Sequence, residues 1–317
     1  MGYGPRTQAW LIRPEGSSRP LPAIIALHDH GGFKYSGKEK IARGPNPVAP
    51  FLAAFQRTFY GGRSYANALA KAGFAVLVPD VFLWGSRRFD LAAMPPADLR
   101  AGRNELVTRK DTGKIPKQVA TYNACASFHE HTVAKYCQAL GTTLAGMVAY
   151  EDRIAVRYLL GRTDICDGKI GSVGLSGGGM RSALLHATCP NIAAAVVVGM
   201  MSTYEELLDR HVCLHTWMIY PGSWSRTADW PDWTATRAPS PLLVQYNLND
   251  PLFSLTGMKK ARRRLQALYR AAGNGPAYQG EFYSGPHKFD TAMQERAFAW
   301  LAKRLPPPPS PHPPRIS

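Results

Sequence analysis

The chemistry that this sequence could perform centres on one serine. Ser176 lies in the run Gly174-Leu175-Ser176-Gly177-Gly178, after a short apolar stretch at 170–173 and before a stretch with helical spacing. Glycines on both sides of a serine are needed where strand and helix backbones approach closely, and the serine backbone is strained there. The pattern is typical of a nucleophile elbow. The alternative is a glycine-rich turn that merely contains a serine.

A serine hydroxyl is a weak nucleophile, so it needs a base and an acid that orients the base. Asp250 directly follows a predicted strand at 241–246, and His287 follows the last predicted strand at 281–283. Each residue therefore lies in a loop after a strand, in the chain order Ser, Asp, His. This order predicts a triad in which His287 removes the Ser176 proton and Asp250 fixes the imidazole tautomer.

Each of these assignments has an alternative. Asp250 precedes a proline and could be a turn residue, in which case Asp229 or Asp232 could supply the acid. His287 could be a histidine of a surface loop. His186, on the helix after the elbow, is predicted to pack in the core.

The segment that follows the first buried strand could bind a developing oxyanion. Residues 22–27 are continuously apolar and end in His28-Asp29-His30-Gly31-Gly32. Backbone N–H groups of such a loop can point at an oxyanion. We predict His30 and Gly177, the residue after the nucleophile, as the donors. A metal site on His28 and His30 is the competing interpretation, but alternate strand residues point to opposite faces and no third ligand is evident, so no metal is predicted.

The elements that position these residues predict an α/β fold with a mostly parallel central sheet flanked by helices. We expect one domain over residues 1–305, with insertions at about 33–63, 82–128 and 202–237 that form a cap over the site. A helical pattern runs over 131–160, with Gly141 and Gly146 as places where it could break. The proline-rich tail at 306–317 is predicted to be disordered.

The third insertion is the most aromatic part of the chain. Its tryptophans could line an apolar acyl or aryl pocket, and Trp217, Trp224 and Trp230 are the candidates. They could equally be packing residues of a cap.

Composition narrows the class of partner and the compartment. Lys and Arg total 38 against 22 acidic residues, a formal charge of +16, but the basic residues are scattered except at 259–264. We interpret that run as the solvated face of a helix rather than as a nucleic-acid patch. Five cysteines without paired spacing, no signal-peptide-like run and no membrane-length apolar stretch predict a cytoplasmic protein with no membrane partner. The oligomeric state stays open.

Five stretches resemble the α/β-hydrolase superfamily, and within it the dienelactone-hydrolase-like and acetyl-xylan-esterase-like group. They are Leu-His-Asp-His-Gly-Gly at 27–32 with Gly-Lys-Glu-Lys at 37–40, Gly-Leu-Ser-Gly-Gly-Gly at 174–179, Asn-Asp-Pro-Leu-Phe at 249–253 and Gly-Pro-His-Lys-Phe at 285–289. The resemblance spans about residues 7–305. It implies the α/β-hydrolase fold, with shortened N-terminal strands, and a serine carboxylic-ester hydrolase that needs no cofactor.

Two departures limit this resemblance. Dienelactone hydrolases generally use a cysteine nucleophile, so Ser176 does not carry over their substrate. Asp29 stands where the group usually has glycine, which leaves Gly31 and Gly32 open as alternatives to His30. The predicted function is therefore hydrolysis of a small-molecule ester. The competing functions are those of a peptidase or amidase on the same scaffold, or of a non-catalytic ligand-binding member of the fold.

Overall fold

The computed structural model describes residues 5–108, 115–208 and 211–307. In these ranges seven strands form one sheet in the order β1-β3-β2-β4-β5-β6-β7. The strands are β1 (Ala9–Ile12), β2 (Leu21–Leu27), β3 (Ala75–Pro79), β4 (Ile165–Leu175), β5 (Ile192–Val198), β6 (Leu242–Asn247) and β7 (Tyr278–Tyr283). Strand β1 runs antiparallel to β3, and every other pair is parallel. The predicted mostly parallel sheet is confirmed.

Helices cover both faces of this sheet. They are α1 (Pro50–Phe59), α2 (Tyr65–Lys71), α3 (Pro96–Thr108), α4 (Lys117–Ala139), α5 (Leu144–Leu160), α6 (Gly177–Thr188), α7 (Tyr204–Leu208), α8 (Trp230–Thr234), α9 (Leu255–Ala271) and α10 (Thr291–Arg304). Successive side chains of a strand point to opposite faces. In β2, Ile24 and Ala26 join a core with α2 and α10, whereas Ile25 and Leu27 join a second core with α5, α6 and α9. All of β2 is apolar because both faces are covered.

The first two insertions contain helices that the sequence did not predict. The segment 33–63 contains α1, whose Pro50 occupies the first turn. Proline is tolerated there since that N–H has no intrahelical acceptor. Within 82–128 lie α3 and the first half of α4. The helix predicted over 131–160 is two helices, α4 and α5, which are separated at Gly141 with φ +74°.

Some predicted features fall partly outside the described residues. These are positions 109–114 of the second insertion, 209–210 of the third and 308–317 of the predicted disordered tail. Among the residues that the structure describes, no helix is both long and apolar enough to span a bilayer. All five cysteines are free thiols. The cytoplasmic location stays a prediction.

The basic run 259–264 lies on α9, and its side chains contact the protein itself. Lys260 pairs with Glu205 and Glu206, both at less than 3 Å. Arg264 pairs with Asp232 at 2.6 Å. These contacts favour the interpretation of the run as a solvated helix face.

Candidate active site

Ser176 lies at the sharp turn between β4 and α6. Its backbone has φ +58° and ψ −121°, a conformation that residues other than glycine rarely adopt. The Ser176 N–H donates to the Val198 carbonyl at 2.8 Å, which anchors the turn to β5. A Cβ on Gly178 would collide with the Leu27 carbonyl, and one on Gly174 would collide with the Gly178 backbone. The turn therefore requires its glycines, as the predicted elbow does.

His287 and Asp250 form a buried pair at the ends of β6 and β7. His287 Nδ1 lies 2.6 Å from Asp250 Oδ2. The other carboxylate oxygen, Oδ1, accepts from the Leu252 N–H at 2.9 Å, so both oxygens have a partner. With Nδ1 engaged by the carboxylate, Nε2 is the imidazole nitrogen left to exchange a proton with another group.

The loops that carry this pair are tied to each other. The Asn249 N–H donates to the Gly285 carbonyl at 3.1 Å, and Asn249 Oδ1 accepts from the Gly285 N–H at 3.3 Å. The side chain of Asn247 donates to the Lys288 carbonyl at 2.9 Å. Backbone and amide contacts thus hold the His287 loop against the Asp250 loop.

Ser176 and His287 line the same cavity, which has a volume of about 510 Å³. All three predicted insertions contribute to its wall, through Phe59, Ser127 and the stretch 213–217 respectively. The lining includes apolar side chains such as Leu214 and Leu252 as well as polar ones. The cavity can hold a small organic molecule against the Ser176 hydroxyl.

The loop after β2 lies directly beside the start of α6. A Cβ on Gly177 would be only 2.7 Å from the His30 backbone nitrogen. The two predicted donors, His30 and Gly177, are therefore neighbours next to Ser176. The His30 carbonyl accepts from Trp84 Nε1 at 3.2 Å and from Lys40 Nζ at 3.3 Å, which fixes the orientation of this segment.

The His30 ring contacts Glu130 of α4. His30 Nε2 lies 2.8 Å from Glu130 Oε2, and the Lys34 ammonium lies 2.5 Å from the same oxygen. Burial lowers the pKa of His30 despite the adjacent carboxylate. Burial by itself would raise the pKa of Glu130, but the Lys34 and His30 side chains hold it well below its usual range. Sequence reasoning missed Glu130.

Buried ion pairs support the loop after β2. The Asp29 carboxylate contacts Lys40 Nζ at 3.3 Å and accepts from the Tyr60 hydroxyl. Arg181 pairs with Asp152 at 2.7 Å and donates to the His28 carbonyl at 3.2 Å. Burial lowers the pKa of Lys40 although Asp29 opposes this. Asp29, which stands where the related group has glycine, is thus part of the support of the loop.

The two histidines of the competing metal interpretation contact different groups. His28 is buried, and its Nδ1 lies 3.0 Å from the Asp29 carbonyl. Burial, together with Arg181, holds the pKa of His28 well below its usual value. In the described part of the chain, no three His, Cys, Asp or Glu side chains are grouped so that they could hold a metal ion.

The tryptophan prediction is corrected for two of its three residues. Trp217 lines the cavity. Trp230 is fully buried, and its Nε1 donates to the Ile219 carbonyl, while Trp224 packs against it with ring centroids 5.9 Å apart. Trp224 and Trp230 belong to the packing of the third insertion, because aromatic residues fill a core as readily as they line a pocket.

Asp229 and Asp232, the competing candidates for the acid, belong to a helix cap. Asp229 caps the N-terminus of α8, and Asp232 completes that capping box, so both are engaged away from His287. His186 is buried and bonded to the Tyr269 hydroxyl at 3.1 Å, in agreement with its predicted packing role.

Known proteins resemble this chain at low identity. A protein of Bacillus subtilis (strain 168) named "Putative hydrolase YtaP" is 23% identical over 302 residues, which are 95% of this chain and 84% of that protein. A glucuronoyl esterase from Solibacter usitatus matches with a TM-score of 0.62 and 12% identity, over 95% of this chain and 78% of that one. A "putative acetyl xylan esterase" from Bacteroides fragilis NCTC 9343 gives 0.63 and 16%, over 96% and 79%. No protein-family model matches the chain. At such identities the structural likeness concerns the fold alone.

Proposed function

We propose that this chain, which has the α/β-hydrolase fold, is a serine hydrolase that cleaves carboxylic esters through an acyl-enzyme intermediate. The observation that carries the proposal is the 2.6 Å contact between His287 Nδ1 and Asp250, beside the cavity that Ser176 also lines. The names of the two esterase structures, and of the Bacillus hydrolase, point to the same class of reaction.

In this proposal His287 Nε2 takes the Ser176 proton as Oγ attacks the acyl carbonyl. The backbone N–H groups of His30 and Gly177 donate to the oxyanion that forms. Asp250 keeps the proton of the imidazole on Nδ1 and stabilises the imidazolium. The alkoxide leaves with the proton from His287. Water then attacks the acyl group and gives a proton to His287. The bond between the acyl carbon and Ser176 Oγ breaks, Oγ takes that proton back from His287, and the acid is released. Neither a metal nor a cofactor takes part.

Ester and amide hydrolysis share this machinery, so the leaving group separates the proposal from a peptidase or amidase. The size of the 510 Å³ cavity favours a small ester over an extended peptide, and Leu214, Trp217 and Leu252 in its lining favour an apolar acyl group. A non-catalytic ligand-binding member of the fold would have no need of the His287–Asp250 pair. We also propose that the protein is cytoplasmic.

Hydrolysis of matched esters and amides tests this function. We expect turnover of p-nitrophenyl esters, from acetate to octanoate, and much slower turnover of the p-nitroanilides with the same acyl groups. The released p-nitrophenol and p-nitroaniline are measured by absorbance at near-neutral pH. Preferential cleavage of the anilides would favour the amidase alternative. Cleavage of neither series would favour the binding protein.

Trp217 is expected to determine part of the acyl preference. Its ring lines the cavity, so Trp217→Ala enlarges the space next to the acyl group. The variant should shift kcat/KM toward longer acyl chains by about tenfold, the lower end of what one methylene is worth in an apolar pocket. The matched control is Trp224→Ala, which changes a tryptophan of the same insertion that packs away from the cavity. An identical chain-length profile for Trp217→Ala and the wild type would refute this role.

A further inference from the structure

We propose that Glu130 is a positioning residue for this reaction. Its carboxylate holds together two walls of the cavity: the loop after β2, which carries the proposed oxyanion donor His30, and the segment Thr216–Trp217. The inference rests on the proposed function and deepens it. Glu130 lies in the middle of α4, is only 5% exposed and is not one of the proposed catalytic residues.

Both oxygens of this carboxylate are used, each toward a different wall of the cavity. Oε2 contacts His30 Nε2 at 2.8 Å and Lys34 Nζ at 2.5 Å. Oε1 accepts from Thr216 Oγ1 at 2.5 Å and from the Trp217 N–H at 3.3 Å. Hydrogen bonds to a charged acceptor are stronger and shorter than neutral ones. A single buried carboxylate thus links the loop after β2 to the third insertion.

The contact with His30 also fixes the state of that ring. His30 Nδ1 accepts from the Gly32 N–H at 3.1 Å, so the ring proton of the neutral imidazole is on Nε2 and is donated to Glu130. The ring therefore bridges Glu130 and the Gly32 backbone. A displacement of His30, whose backbone N–H is the proposed oxyanion donor, would disturb both bonds.

Trp84 and Lys34 hold the same residue from its carbonyl side. Trp84 Nε1 donates to the His30 carbonyl at 3.2 Å, and the Lys34 ammonium lies 5.3 Å from the centre of the Trp84 ring. Lys34 in turn contacts Glu130. The carbonyl side and the ring side of His30 are held by partners that also hold each other. Oxyanion stabilisation depends on donors that need no reorganisation during the reaction, so this bracing acts on the catalytic step.

Glu130→Gln tests the inference, because it keeps the shape of the side chain and replaces one acceptor oxygen with a donor. The concentration of active sites is measured by titration with a fluorophosphonate, and kcat on p-nitrophenyl acetate is expressed per active site. We expect this kcat to fall about 10- to 100-fold. The loss is smaller than the roughly 10²–10³-fold loss in rate when an oxyanion donor is removed outright. Sulfur is a poor hydrogen-bond acceptor, so well-placed oxyanion donors favour hydrolysis of the oxygen ester over that of its thionoester. If Glu130→Gln misplaces a donor, the rate ratio of the oxygen ester to the thionoester should therefore also fall.

Thr216→Val is the matched control, since it removes one contact of Glu130 to the cavity wall and leaves those to His30 and Lys34. It should raise KM while the ratio of ester to thionoester rates stays at the wild-type value. His30→Ala removes the contact between His30 and Glu130 but keeps the backbone N–H of residue 30. It should also lower the ratio of ester to thionoester rates. This variant replaces Glu130→Gln in the test if Glu130→Gln does not fold.

The outcomes separate the inference from the function on which it rests. A purely structural role would lower the melting temperature or the titrated fraction but leave kcat per site and the rate ratio unchanged, which would overturn the inference. If the wild-type protein hydrolyses no ester, the proposed function fails and this inference falls with it. If the wild type is active and the folded Glu130→Gln variant matches it, only the inference fails.

Discussion

Replacing Ser176 by Ala is expected to lower kcat on p-nitrophenyl acetate by about 10⁶-fold, the cost of losing the serine in a comparable triad. The variant removes the hydroxyl that would carry the acyl group, and its methyl group fits the space that Oγ occupied. The burst and the steady-state rate of p-nitrophenol release measure the loss. Both should vanish together.

Ser182→Ala is the matched control for this variant. Ser182 lies on α6, the helix that begins directly after Ser176, but it is buried, bonded to Ser172 at 2.8 Å and not part of the cavity lining. We expect it to lower the melting temperature slightly and to keep kcat within a few fold of the wild type, as a lost neutral hydrogen bond is worth about 1 kcal/mol. A Ser176→Ala variant that remains as active as Ser182→Ala would contradict the proposed nucleophile.

The second large effect is expected at the His287–Asp250 pair. Asp250→Asn keeps the size of the side chain but presents an amide in place of the carboxylate, so it favours the wrong imidazole tautomer; kcat should fall about 10⁴-fold. His287→Ala removes the base and should cost about 10⁶-fold. Because the three residues act as a unit, the Ser176→Ala/His287→Ala double variant should be no slower than Ser176→Ala alone. Steady-state kinetics on p-nitrophenyl acetate measure all of these.

Asp232→Asn is the control that separates Asp250 from the acids considered in the sequence. Asp232 pairs with Arg264 and takes part in the capping box of α8, so its loss should lower stability by about 1 kcal/mol and leave kcat unchanged. If Asp232→Asn abolishes activity while Asp250→Asn does not, the assignment of the acid is wrong.

Local chain geometry determines the features that the sequence could predict. Ser176, Asp250 and His287 each lie in a loop after a strand, and the carboxyl ends of parallel strands meet at one edge of the sheet. The order of residue types along the chain is therefore enough to predict a triad, which stays a proposal. The likeness to α/β-hydrolases is confirmed for the fold, and the sheet has its antiparallel strand β1 at an edge.

The features missed are those that depend on distant contacts. Glu130 meets His30 and Thr216 across separations of 100 and 86 residues, which helical spacing within α4 does not reveal. Trp224 and Trp230 have the same residue type as Trp217 and lie in the same insertion. Only tertiary packing decides which of these rings reaches the cavity, so composition could not separate them. Helix α1 was missed because its flanking prolines are typical of loops.

Covalent labelling of the nucleophile tests the central claim most directly. The intact protein is treated with a fluorophosphonate, digested, and mapped by mass spectrometry, with the His287→Ala variant treated in parallel. We predict one adduct per chain, on the peptide that contains Ser176, formed rapidly by the wild type and very slowly by His287→Ala because the base that activates the hydroxyl is missing. An unlabelled protein, or an adduct on another residue, would contradict the account.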